Sequence, residues 1–221
     1  MKNNALTIDK NTYVLISILW FIFGFAITSL IASHVITMDR YVLVIIYLVA
    51  MSTGLIAYFR NQISLIVQDT KWQEAVTFIG ISLLFHALTS YVILTYFEQP
   101  IWPFESRNTS FLLMNKYYVW AKPIDVFVQH VLINLLVFKL RTLKLNLRQI
   151  TKIIVITFGC IHIFQALRTE LIISYAYTAV AIIFSFLFPK MILQTRNGYI
   201  YNFMIHLAVY NVAALIAWTL Y

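Results

Sequence analysis

The amino-acid sequence is a succession of long apolar runs separated by short polar segments. Seven runs, 13–33, 41–59, 75–97, 124–140, 150–167, 171–188 and 199–221, have the length for a membrane helix. A hydrocarbon core of about 30 Å needs about 20 helical residues at 1.5 Å each, with an accepted range of about 17–25. The pattern predicts an all-α polytopic transmembrane helix bundle of about seven spans. No repeat, linker or low-complexity tract divides it, so residues 1–221 read as one integral membrane domain. The first run is longer than the about 7–15 apolar residues of a cleavable signal peptide, which makes it an anchor. The stretch 63–68 is apolar but too short to span.

Composition points the same way. Residues of the AVILMFWYC set make up 62% of the chain and charged residues 11%, about half the charged share of an ordinary soluble domain. This excludes a water-soluble globule and an intrinsically disordered chain. The single cysteine, Cys160, excludes a disulfide framework and a zinc ribbon.

The net charge of +8 is a statement about topology rather than about nucleic acid. Lys2, Lys10, Arg60, Lys71, Lys139, Arg141, Lys144, Arg148, Lys152, Lys190 and Arg196 fall on one side of the seven spans. Arg40, Arg107, Lys116, Lys122 and Arg168 fall on the other. Eleven against five places the N-terminus in the cytoplasm and Tyr221 outside. The cluster at 139–152 reads as this signal together with contact to anionic lipid.

The longest connection, 98–123, carries Trp102, Phe104, Tyr117, Tyr118 and Trp120 around the short apolar run 111–114. Such a segment belongs at the outer interface, where it could also cover an intramembrane site as a lid. Asn108-Thr109-Ser110 matches a glycosylation pattern, which carries meaning only in a host that glycosylates.

Ionisable side chains inside a bilayer are costly and count as functional candidates. Four of the five histidines fall within one central slab. His86 is at the centre of the third span. His130 lies about 3 Å, and His162 about 5 Å, to the outer side of their spans' centres, and His206 about 6 Å to the inner side. His34 is at a helix end. Helical spacing adds Gln129 four beyond Asp125, Asn134 four beyond His130, and Gln165 three beyond His162, while Asn202, His206 and Tyr210 form a stripe on the last span. Each could simply bond across a helix pair; together they suggest a shared polar site. Asp125, in the sequence Lys122-Pro123-Ile124-Asp125, has two readings: a helix-start acid placed on the macrodipole, or a general base.

The order of these residues resembles the CAAX protease and bacteriocin-processing (CPBP) family of intramembrane proteases, whose motifs are EExxxR, FxxxH and HxxxN. Phe158-Gly159-Cys160-Ile161-His162 reproduces the second. The third is approximate, because Asn211 is five residues past His206 and so about 140° around the helix, while Tyr210 takes the same-face position. Either Tyr210 substitutes or a π-bulge corrects the phase. The first motif has two registers. If Ile124-Asp125 stands for the acid pair, Gln129 replaces the arginine; if Asp125 comes first, Val126 replaces the second acid and His130 the arginine. The first register predicts a dead enzyme.

The resemblance covers a core at 123–211 and implies peptide-bond hydrolysis in the bilayer without a covalent intermediate. Carried over, Asp125 activates the water, His162 and His206 bind or polarise it and the oxyanion, and Asn211 or Tyr210 donates a further hydrogen bond. Gln129, His130, Phe158, Gln165 and Asn202 would line the substrate. The substrate implied is a membrane-anchored or lipidated peptide or protein, and the setting a bacterial cytoplasmic membrane.

No cofactor is required, although His86, His130, His162 and His206 could hold a metal. Two alternatives stand beside the protease. One is a degenerate member that binds a peptide or partner subunit without chemistry. The other is a multi-pass subunit in which midplane histidines ligate haem or copper. Cys160 is a packing residue, since His162, two positions along the helix, faces elsewhere.

Overall fold

The computed structural model describes residues 9–34, 41–98, 120–169 and 172–220. The helices are α1 (Lys10–His34), α2 (Tyr41–Tyr58), α3 (Arg60–Val67), α4 (Trp72–Tyr96), α5 (Lys122–Thr142), α6 (Leu147–Ile154), α7 (Ile161–Thr169), α8 (Ile172–Gln194) and α9 (Gly198–Leu220). A single π-helical turn, Val155–Gly159, joins α6 to α7. Among the described residues there is no strand. Six helical spans are long and apolar enough to cross a bilayer, and a seventh if α2 and α3 are taken as one span bent by 85°. The chain is an integral membrane protein with an all-α fold. The aromatic connection expected at the outer interface, with its sequon, lies almost wholly outside the described residues.

Helix α5 is the axis of the bundle. Of its apolar window 67% is buried inside the protein, against 11% for α1. The helix touches α1, α2, α6, α8 and α9, and these neighbours cover its polar residues as well as its apolar ones. Two apolar clusters meet along it. One joins Phe21, Phe25, Leu48, Val128, Leu132 and Phe158 from α1, α2, α5 and the π turn. The other joins Ile93, Val126, Tyr177, Leu207, Tyr210 and Trp218 from α4, α5, α8 and α9. The polar residues Asp125, Gln129 and His130 flank Val126 and Val128 at this junction.

Helix α4 leans on α9 through Ala75, Ser82, His86, Ser90 and Ile93. These sit at helical spacing on one face, and the small residues allow close approach of the backbones. At the end of the bundle that carries the basic cluster, Asn146 caps α6. Its side chain accepts from the Gln149 amide, and the Gln149 side chain accepts from the Asn146 amide, both at 3.0 Å. Asn146→Ala is expected to cost about 1 kcal/mol in reversible unfolding from detergent micelles; a cost near zero would show that the box does not hold the α5–α6 corner.

Candidate functional site

Helix α5 starts with Pro123 in its first turn and no side-chain cap. The Asp125 carboxylate is engaged elsewhere. Its Oδ2 accepts from Lys122 Nζ at 3.1 Å and from Gln129 Nε2 at 3.1 Å. Lys122 is 1% exposed and Asp125 2%. Lys122, counted above as an outer topology marker, is thus folded inward, and its Nζ sits 4.2 Å from the centroid of the Tyr210 ring. Without it the charge bias becomes eleven against four, in the same direction. Gln129 also reaches the Tyr210 hydroxyl. A lysine three positions before the acid, one turn of helix away, is the signal that could have found this pair.

One turn deeper, His130 Nε2 and His206 Nδ1 are 3.0 Å apart and share a hydrogen bond. His206 stacks on Tyr210, with ring centroids 5.1 Å apart and planes at 28°. Helix α9 is regular throughout, so no bulge corrects its phase. Tyr210 occupies the position on the His206 face, and Asn211 turns away to α4, where its Oδ1 accepts from His86 Nδ1–H at 2.8 Å. His86 and Asn211 therefore form a separate pair across the α4–α9 interface.

The π turn lies instead before His162. It inserts one extra residue, the Cys160 amide reaching the Val155 carbonyl at 2.8 Å, a feature frequent at functional sites. His162 Nδ1 lies 2.7 Å from the Phe158 carbonyl. A carbonyl only accepts, so Nδ1 carries the proton and Nε2 of the neutral ring is a bare acceptor. Phe158 packs edge-on against both histidines, 4.9 Å from His162 and 6.0 Å from His206.

His162, His206, Tyr177 and Tyr210 face one pocket of about 10 Å³, closed by Phe158, Val180, Ala181, Phe184 and Val209. That is the room one water molecule needs. The Tyr177 hydroxyl is buried with no partner among the described residues, and a water in this pocket would satisfy it. The half-buried Val180, Phe184 and Val209 form an apolar rim between α8 and α9.

The remaining candidates separate. Asp125 and Gln129 sit beside the Tyr210 ring and are not among the residues that line the pocket. Asn202 donates its Nδ2 to the Phe188 carbonyl at 3.3 Å and holds α8 to α9. The Gln165 side chain lies outside the described residues. Tyr177 and Lys122, which sequence reasoning did not single out, belong to the site.

Among the described residues no three of His, Cys, Asp and Glu stand where they could share one metal ion. His130 turns its Nε2 to His206, and its Nδ1 is buried without a partner among the described residues; the ring packs edge-on with Phe188 and Phe203, centroids 5.2 Å and 6.2 Å away. Among the described residues, the pocket at His162 and His206 has room for a water molecule and none for a porphyrin. No protein-family model, curated protein or solved structure matches this chain.

Proposed function

We propose that this chain is an intramembrane hydrolase of the CPBP type, cleaving a peptide bond in a membrane-anchored or lipidated substrate with a water held between His162 and His206. The observation that carries the reading is the water-sized pocket lined by these two imidazoles and by Tyr177, whose hydroxyl is without a partner among the described residues. His162, its proton fixed on Nδ1, takes a proton from the water through Nε2. The hydroxide adds to the scissile carbonyl carbon, and His206 with Tyr210 stabilises the oxyanion. The proton held by His162 then passes to the leaving amine as the C–N bond breaks. The Lys122–Asp125 pair positions Tyr210 and takes no part in activating the water. The apolar rim between α8 and α9 favours a substrate that arrives from the lipid phase.

The test uses proteoliposomes and an internally quenched peptide carrying a C-terminal prenyl group. Wild type is expected to cleave it, and His162→Ala and His206→Ala to lower the rate by about 10²–10⁴. Equal rates in all three would remove the hydrolase. A second reading, a binder without chemistry, is favoured by the engagement of Asp125 away from the pocket. Its mark is a wild type that retains the peptide on flotation and does not cut it.

A further inference from the structure

The two pocket histidines differ in what their second nitrogen meets, and this difference assigns them opposite roles. His162 is settled by the Phe158 carbonyl. His206 depends on His130, because the bond between His130 Nε2 and His206 Nδ1 holds one proton and either ring could supply it. The deciding atom is His130 Nδ1, which is buried without a partner among the described residues. The His130 ring packs against Phe188 and Phe203, at interplanar angles of 68° and 88°. A buried N–H with no acceptor is rarer in proteins than a buried acceptor with no donor. The His130 proton therefore belongs on Nε2, where it is donated to His206 Nδ1. A neutral His206 must then carry its own proton on Nε2, the nitrogen that the shared bond leaves free.

We infer that His130 is a positioning residue that holds His206 in the Nε2–H form, so that the pocket is lined by one imidazole acceptor, His162, and one imidazole donor, His206. The apolar wall around His130 is what breaks the symmetry between them. With both rings as acceptors, the water would be held by its hydrogens alone and the oxyanion would lose a donor. With one of each, a single water bridges them, and the same N–H afterwards meets the developing negative charge. His130 acts through His206 and touches neither water nor substrate. The assignment of its catalytic consequence rests on the hydrolase reading; the tautomer itself does not.

The experiment is ¹⁵N NMR of the full chain in nanodiscs with labelled histidine, in which protonated and bare ring nitrogens are well separated. Wild type is expected to show His206 protonated at Nε2 and bare at Nδ1, and His162 the reverse. His130→Gln, whose side-chain amide can still donate to Nδ1, is expected to keep the His206 form. His130→Phe, which cannot donate, is expected to give a mixture of the two tautomers. A wild-type His206 bare at Nε2 overturns the inference even if no variant folds, as does a His206 tautomer indifferent to His130→Phe. Peptide cleavage is expected to fall about 10–100-fold in His130→Phe and to recover in His130→Gln. An uncleaved peptide with the expected spectrum rejects the hydrolase and keeps the tautomer.

Discussion

Asp125→Ala is expected to destabilise the protein by about 3–5 kcal/mol, and adding Lys122→Met to it is expected to restore most of that loss. The reason is desolvation. Lys122 and Asp125 are 1% and 3% exposed at the side chain and 3.1 Å apart, so each is the other's compensation. Removing the carboxylate takes from the buried ammonium its countercharge at 3.1 Å, and the Tyr210 face 4.2 Å away, worth about 2 kcal/mol when desolvated, offsets only part of that loss. Replacing both charges leaves a neutral, apolar contact, which is often as stable as the pair itself. Reversible unfolding of the four proteins in detergent micelles, as a double-mutant cycle, measures the coupling. Additive losses would mean that the two charges are solvated separately and that the buried pair does not exist. Cleavage by Asp125 variants is therefore read only after folding has been verified.

The second large effect belongs to Gly198. A Cβ there would stand 1.9 Å from the Met191 carbonyl oxygen and 2.4 Å from its carbon, both backbone atoms of the neighbouring helix. The tight turn between α8 and α9 passes through Asn197 at φ 57°, a left-handed conformation that asparagine tolerates. It is tied down by Thr70 Oγ1 and Tyr199 Oη at 2.6 Å and by Asn197 Nδ2 to Glu74 at 3.3 Å. Gly198→Ala must push the two helices apart, an overpacking cost at or above the upper end of about 1–3 kcal/mol. Because His206 and Tyr210 ride on α9, and Tyr177 on α8, the pocket should widen with it. Gly54→Ala and Gly80→Ala, where a Cβ meets nothing within 4 Å, are expected to be neutral or slightly stabilising. Thermal melts of the three variants check this, and a Gly198→Ala melt equal to that of Gly54→Ala would contradict the close approach.

Length and hydrophobicity carried the fold. The runs 41–59 and 75–97 appear as α2 at Tyr41–Tyr58 and α4 at Trp72–Tyr96, because a bilayer span is a matter of how many apolar residues follow one another. The end of the run at 59 likewise marked the break between α2 and α3, whereas the π turn ahead of His162 left no comparable mark, since it depends on packing after the helices meet.

Within the site, helical spacing was informative where partners lie on one helix. The Asp125–Gln129 contact and the His206–Tyr210 stack are both four residues apart. Depth along the bilayer placed four histidines in one slab but said nothing of azimuth. Only tertiary contact shows that His130 and His206 meet while His86 pairs with Asn211 on another face. Lys122 was misjudged for a related reason. A lysine at a helix end is ordinarily a solvated marker, and nothing in the residue itself tells that its helix is the buried axis.

Imidazoles from α5 and α9 lock together beside a water-sized pocket, and everything proposed for the site needs that contact. Dipolar coupling between ¹⁵N-labelled His130 and His206, in the full chain reconstituted in lipid, measures it. The separation expected between His130 Nε2 and His206 Nδ1 is 3.0 Å. A separation beyond about 5 Å, outside hydrogen-bond reach, would mean that the two rings do not meet, and the site as described would not exist.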